Sequence, residues 1–165
     1  KLSMFRTKLL ILFLISILFN SCTNKREIIN YQMSVAYIGG EYDGIILSNQ
    51  IKSQLNNLGM LDENSKYEIQ ANISHSQNLF ITNIDNTSDR ERINSSVNIN
   101  IYDRKLNCIT YTFDKSVSQF YVLASSDQFI SNSTALEEIK IHNTEYVVKK
   151  FINSLTEKAF DCDQQ

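Results

Sequence analysis

The chain has no proline, no tryptophan, four glycines, two histidines and three cysteines among 165 residues. Each shortage removes a class of function. The glycines form neither a phosphate-binding loop nor a Gly-x-Ser-x-Gly elbow, which excludes those nucleotide and hydrolase motifs. His75 and His142 make no His-x-x-x-His pair, and no Cys-x-x-Cys occurs, so no metal motif of recognised spacing exists. A basic excess is also missing, since the formal net charge is −2. Nucleic acid is therefore not an expected partner, because phosphate contacts need a basic face. No repeat and no domain linker interrupts the chain. The bias toward Asn, Ile, Ser and Lys reads as AT-rich coding rather than function.

One long hydrophobic run is present, at the start. Lys1, Arg6 and Lys8 precede an apolar stretch from Leu9 to Phe19 that only Ser16 interrupts. Eleven residues are too few to cross a bilayer, which takes roughly 20, and they match a secretory leader. Ser21-Cys22 follows. Residues 1–21 are expected to be a signal peptide, with cleavage before Cys22 and lipid attachment to it. Phe19 and Asn20 depart from the usual Leu-Ala/Ser-Gly/Ala-Cys pattern. An ordinary signal peptide or an uncleaved anchor is the alternative. Residues 22–27 then form the lipidated cysteine and a polar tether, 28–160 one domain, and 161–165 a polar tail. Without the leader, the chain is more acidic still, since the leader holds three of the 16 basic residues and none of the 18 acidic ones.

The periodicities predict an order β-α-β-β-β-α. Residues 28–38 read as a strand with Ile29, Tyr31, Met33, Val35 and Tyr37 on one face. Asp43 is the expected N-cap of a helix over 44–58 carrying Leu47, Ile51, Leu55 and Leu58, which Gly59 ends. Tyr67, Ile69, Ala71 and Ile73 alternate with polar residues in a second strand. A polar loop over 83–92 leads to a third strand with Ile93, Val97, Ile99 and Ile101. Asp103-Arg104-Lys105 with Asn107 predicts a hairpin turn. The fourth strand carries Ile109, Tyr111, Phe113 and Val117, and its phase then shifts to Phe120 and Val122, predicting a bulge near Ser118. A final helix over 126–159 keeps a stripe of Leu136, Ile139, Tyr146, Val147, Phe151 and Leu155, with Ser126 or Asp127 as cap. The expected class is α+β: a two-layer sandwich in which two helices pack a four-stranded, mostly antiparallel sheet.

Chemistry-bearing residues are few. His75 falls in the buried phase of its strand, His142 on the last helix, and both read as structural. Arg90 with Arg92, and Arg104 with Lys105, are two basic clusters at opposite ends of the third strand. They are candidate contacts for lipid phosphates through charge-assisted bonds; ordinary solubilising loop charges are the other reading. Cys108 and Cys162 are expected as free or loosely paired thiols, because Cys162 sits in the polar tail; a disulfide is the alternative. No cofactor, no metal and no catalysis are expected.

The chain from the leader onward resembles the LPS-assembly lipoprotein family, LptE. The resemblance rests on the Leu47, Ile51, Leu55 helix, on Ser74 to Ile81, and on Arg90-Glu91-Arg92-Ile93, which is similar to an Arg-Tyr-Arg-Leu stretch. It also rests on Val97 to Asp103, and on Ser118 to Val122 followed by Ser126 to Phe129. Glu91 stands where an aromatic is usual, and Thr23 to Ile28 replace a Gly-Phe-Arg-Pro-Leu-Tyr stretch. The resemblance implies a two-helix, four-strand fold on the periplasmic face of the outer membrane. It implies a non-catalytic partner and plug of an LptD-like β-barrel in lipopolysaccharide delivery, with Arg90 or Arg92 near lipid A phosphates. A lipoprotein component of an ABC-type lipid or efflux transporter is the alternative. A periplasmic enzyme is a further one, whose mark would be a deep pocket gathering His75 or His142 with carboxylates.

Overall fold

A computed structural model of the chain describes residues 31–81, 89–122, 129–155, 160 and 162. The expected leader, Cys22, the tether and most of the polar tail lie outside the described residues, as do Ile29, Ser126 and Asp127. The elements are β1 (Met33–Gly39), α1 (Glu41–Asn57), β2 (Tyr67–Ile81), β3 (Asp89–Asp103), β4 (Cys108–Val122) and α2 (Phe129–Leu155). The sheet order is β1-β2-β3-β4. β1 and β2 are parallel, with α1 as their crossover, and β2, β3 and β4 form an antiparallel meander. Both helices pack on the same face, giving the expected two-layer α+β sandwich.

Alternation in β2 and β3 decides what is inside. Ile69, Ile73, Ile93, Val97, Ile99 and Ile101 all turn toward the helices and are buried. From α1, Leu47, Ile51 and Leu55 meet them with no exposure. From α2, the buried stripe is Asn143, Thr144, Val147, Val148, Phe151, Ile152 and Leu155. Burying one such large apolar side chain contributes roughly 1.5–3 kcal/mol. Tyr146, expected on that stripe, is instead exposed. The stripe runs one position to its side, through Asn143, Val147 and Val148.

Several local expectations are corrected. β1 does not keep a clean period of two: its register on β2 shifts between Val35 and Ile38. The extra residue turns Ile38 inward and leaves Tyr37 85% exposed. α1 starts at Glu41, so Asp43 lies within its first turn, and the N-cap is Gly40 at φ 116°. Glycine has no side chain to offer, so there is no side-chain cap. The other end of α1 fits its glycine. Gly59 donates to the Asn56 carbonyl at 3.0 Å and Met60 to the Leu55 carbonyl at 2.8 Å, closing the helix as a Schellman motif. Asp89 to Arg92 are strand, not loop, because Asn78 to Ile81 pair with them. β4 has no bulge near Ser118, which pairs with Asn94 in unbroken register. The irregularity lies at the other end, between Ile101 and Tyr102, and it moves Ile109 to the exposed side. Phe120 and Val122 likewise face away from the helices.

The cysteine expectation is also overturned: Cys108 and Cys162 form a disulfide, with Cα atoms 6.0 Å apart. The reason lies two residues upstream. Phe160 is buried among Tyr31, Tyr67 and Tyr111, with ring centroids 4.7, 5.5 and 6.1 Å away. That docking carries the C-terminal end back to the start of β4, where polar neighbours of Cys162 cannot keep it apart.

Two substitutions test this packing. Gly44 sits where α1 touches the end of β1. A Cβ there would lie 2.8 Å from both the Ile38 and Gly39 carbonyl oxygens. Alanine normally stabilises a helix interior by about 1 kcal/mol over glycine. Gly44→Ala is nevertheless expected to lower the urea midpoint, and an unchanged or raised midpoint would remove the close-contact argument. Replacing Cys108 and Cys162 by serine frees a loop of 54 residues. The loss expected in the same assay is roughly 2–4 kcal/mol.

Candidate functional site

Three sets of polar residues stand out, and the sheet's alternation sorts them. The first is buried. Ser95, in the inward phase of β3, is fully buried and its Oγ lies 2.7 Å from His75 Nδ1. Asn143 of α2 donates to the same Oγ at 2.9 Å. Asp43 of α1 places Oδ2 3.8 Å from His75 Nε2. With Asn143 donating, the serine hydroxyl is free to donate to Nδ1. Such donation goes with a proton on Nε2, toward Asp43; the second lone pair of the hydroxyl fits an Nδ1–H donor equally. Burial pushes the His75 pKa below its ordinary value, with Lys140 adding to this and Asp43 and Glu137 opposing.

The row of Asp43, His75 and Ser95 has the composition of a nucleophilic triad, but its serine has no exposed surface on which a substrate could sit. The cluster is a polar tie between both helices and the sheet, and the structural reading of His75 holds. His142 differs: its side chain is 69% exposed, beside Glu145 at 4.0 Å, so it is no core histidine. Among the described residues no group of three or more His, Cys, Asp or Glu is placed to hold a metal.

The second set is the turn after β3. Asp103 is buried, its Oδ1 accepts the N–H groups of Lys105 and Leu106 at 2.9 and 3.1 Å, and Lys66 Nζ is 3.0 Å from Oδ2. Burial works against the carboxylate charge, but Lys66 and the two N–H donors outweigh it and lower the pKa. Arg104 donates from Nε to Glu68 at 2.7 Å and again from Nη2. Its charge is therefore committed within the fold, while Lys105 stands exposed on the turn.

The third set is the helix-free face of the sheet. Successive rows across β2, β3 and β4 are Gln70-Asn100-Thr112, Asn72-Asn98-Asp114, Ser74-Ser96-Ser116 and Ser76-Asn94-Ser118. Their side chains bond to one another. Ser96 and Ser116 are 2.6 Å apart, Thr112 donates to Asn100 at 2.9 Å, and Ser118 donates to Asn94 at 2.9 Å. Asn98 donates to Asp114. The next rows carry the predicted arginines: Arg92 beside Phe120, and Arg90 beside Val122. Arg92 lies 4.7 Å over the Phe120 ring. Phe120 and Val122 are 53% and 60% exposed. Glu91 turns to the opposite face, where the Tyr121 hydroxyl donates to it; burial first, then Glu91, pushes Tyr121 up to about 12. The acidic residue between the arginines therefore does not share their face. The two basic clusters lie fourteen residues apart along β3, about 45 Å.

Of the predicted contacts, then, Arg90 and Arg92 share one surface, Lys105 is apart from them, and Arg104 is paired. The buried tie was missed, although Ser95 lies between Ile93 and Val97 in the inward phase, and that parity was its visible signal.

No family model matches the chain, and no curated protein sequence matches it. Solved structures do. A minor lipoprotein of Acinetobacter baumannii superposes with a TM-score of 0.60 at 14% identity, covering 83% of this chain and 98% of that one. Rare lipoprotein B of Shewanella oneidensis gives 0.55 at 9% identity, covering 76% and 97%. Lipoprotein B of Nitrosomonas europaea gives 0.60 at 8% identity, covering 76% and 82%. The chain has the fold of these lipoproteins.

The buried tie yields a pH dependence. The unfolded chain takes up a proton on His75 before the folded one does. Stability from this group is therefore complete above about pH 6.5 and is lost as pH falls through that value toward the lower folded pKa. Urea midpoints are expected to fall between pH 7.5 and 5.5, and His75→Gln is expected to remove part of that slope. Equal slopes in the two proteins would show that His75 is not the group responsible.

Proposed function

We propose that the chain is an outer-membrane lipoprotein, lipid-anchored at Cys22 on the periplasmic side. In this reading it partners and plugs an LptD-like β-barrel and takes part in lipopolysaccharide delivery without catalysis. The observation that carries the reading is the helix-free sheet face. Its four central rows are uncharged apart from Asp114, and their side chains already hydrogen-bond to one another. The interior wall of a large outer-membrane barrel is polar. A face of this kind can be covered by such a wall with little desolvation of charge. Beyond the rows, the exposed Arg90 offers its guanidinium group to a phosphate with Arg92 adding positive charge on the same face, and Phe120 and Val122 offer apolar surface beside them. That pairing suits an amphipathic glycolipid better than a soluble anion. The likeness in fold to rare lipoprotein B supports the same reading.

The first test is an affinity pull-down of the tagged protein from detergent-solubilised outer membranes. A stoichiometric large β-barrel surviving stringent washing is expected. Recovery of transporter ATPase subunits without a barrel would replace this reading with that of an ABC-transporter lipoprotein. The second test is binding of purified lipopolysaccharide. A hydrogen bond to a charged group contributes about 1.5–3 kcal/mol. Arg90→Asp with Arg92→Asp is therefore expected to weaken binding at least tenfold, while Lys105→Asp changes it little. Equal losses at both ends of β3 would point to unspecific attraction.

A further inference from the structure

β1 is an end strand of the sheet, and its free edge is used only in part. At Met33 the chain covers that edge itself. Met33 donates to the Met60 carbonyl at 2.8 Å, Asp62 donates to the Met33 carbonyl at 2.9 Å, and Met33 and Leu61 form a parallel bridge. The covering segment then leaves. Alternation points the N–H and C=O of Val35 the same way as those of Met33. From Val35 to Tyr37 no strand pairs with that edge among the described residues.

Beside this vacant edge runs a groove of about 760 Å³ between β1 and α1. Val35, Tyr37, Ile38, Tyr42 and Ile45 line it. Tyr37, Tyr42 and Ile45 are 85%, 67% and 59% exposed, so large apolar surface coincides with an edge that no strand among the described residues pairs. The groove is also polar in the electrical sense. Glu41 stands at one end, beside the close of β1, and Lys52 at the other, eleven residues along α1. At 1.5 Å per residue the separation is about 16 Å, which five residues of extended chain span.

We propose that this groove docks an extended segment of another polypeptide, which adds to the sheet as a strand beside β1. Its apolar side chains, alternating in direction, enter the tyrosine-lined groove. A basic residue of the segment lies near Glu41 and an acidic one near Lys52. The Met60–Asp62 stretch is the internal precedent: it already recruits backbone to the same edge. Strand addition supplies affinity through main-chain bonds and selectivity through every second side chain. The inference does not depend on the barrel reading, since the groove lies on the opposite sheet edge from β4.

The test is selection of random twelve-residue displayed peptides on the full-length chain in detergent micelles. Peptides with alternating apolar residues and opposite terminal charges are expected. Methylating alternate backbone nitrogens of a selected peptide is expected to weaken binding at least tenfold, as is Tyr37→Ser with Ile45→Ser in the chain. These are surface residues, and circular dichroism confirms that the variant is folded. Lys52→Glu is expected to switch the preferred charge at that end from acidic to basic. No enrichment over empty micelles would overturn the proposal, as would binding indifferent to both the methylation and the Tyr37/Ile45 variant. So would sedimentation showing that a second copy of the chain fills the groove, or binding that emerges only after residues 23–30 are deleted.

Discussion

Everything in this structure depends on the register between three fifteen-residue strands. Tyr67 pairs with Asp103 and Ile81 with Asp89, and no residue is inserted between them. Over that length parity cannot drift, so odd-numbered residues of β2 and β3 lie on the helix-bearing side, although Gln77 and Leu79 near the end of β2 are exposed there, and even-numbered ones lie on the other side. A slip of one residue would bring Asn98 and Asn100 into the core and expose Ile99 and Ile101. The two ends of β3 are pinned by polar contacts rather than apolar ones. At one end Asp103 gathers the N–H groups of its turn and the Lys66 ammonium. At the other the Tyr121 hydroxyl holds Glu91 across the β3–β4 pair.

The buried tie around Ser95 works against the apolar logic of its surroundings. His75, Ser95 and Asn143 occupy positions where three apolar side chains would pack. A buried polar cluster is costly where its polar atoms go unpaired; here one hydroxyl serves two neighbours, while Asn143 Oδ1 has no partner among the described residues. Its effect is positional. Apolar stripes can slide along one another, whereas Asn143 fixes α2 against β3 at one residue, and Asp43 brings the start of α1 to the same place. The arrangement also explains why a serine, a histidine and an aspartate can converge without forming a nucleophilic site: the point of convergence is the interior of the sandwich.

The fold class and element order were legible because they follow from long periodic stretches. Leu47, Ile51 and Leu55, or Val97, Ile99 and Ile101, repeat often enough to outweigh local noise. The errors fall where a single residue changes phase. One inserted residue in β1 reverses the sides of Tyr37 and Ile38, and one near Tyr102 reverses that of Ile109. Apolar residues at Phe120 and Val122 predict a bulge only where apolar character means burial; they are exposed in an unbroken ladder. The disulfide was hidden for a different reason. Spacing cannot report that Phe160 finds three aromatic rings from distant parts of the chain and returns Cys162 to β4. Of the basic residues, the sequence placed both pairs at the ends of β3, but only coordinates separate Arg104, held by Glu68, from the arginines that share a face with Phe120.

The helix-free face is the part of this surface least explained by folding. Antiparallel sheets commonly leave one face to water, and charged side chains would keep such a face soluble. Here four successive rows hold Gln, Asn, Thr and Ser with one aspartate, and charge returns only toward the ends of the strands. Charge on these rows would raise the desolvation cost of any partner that covered them. Amides and hydroxyls already bonded to each other lose little when water is replaced by another polar wall. The composition of the face is thus suited to being covered without being apolar. Arg90 and Arg92 sit beyond the rows, on the same even-numbered face. Both properties follow from the same parity that builds the core.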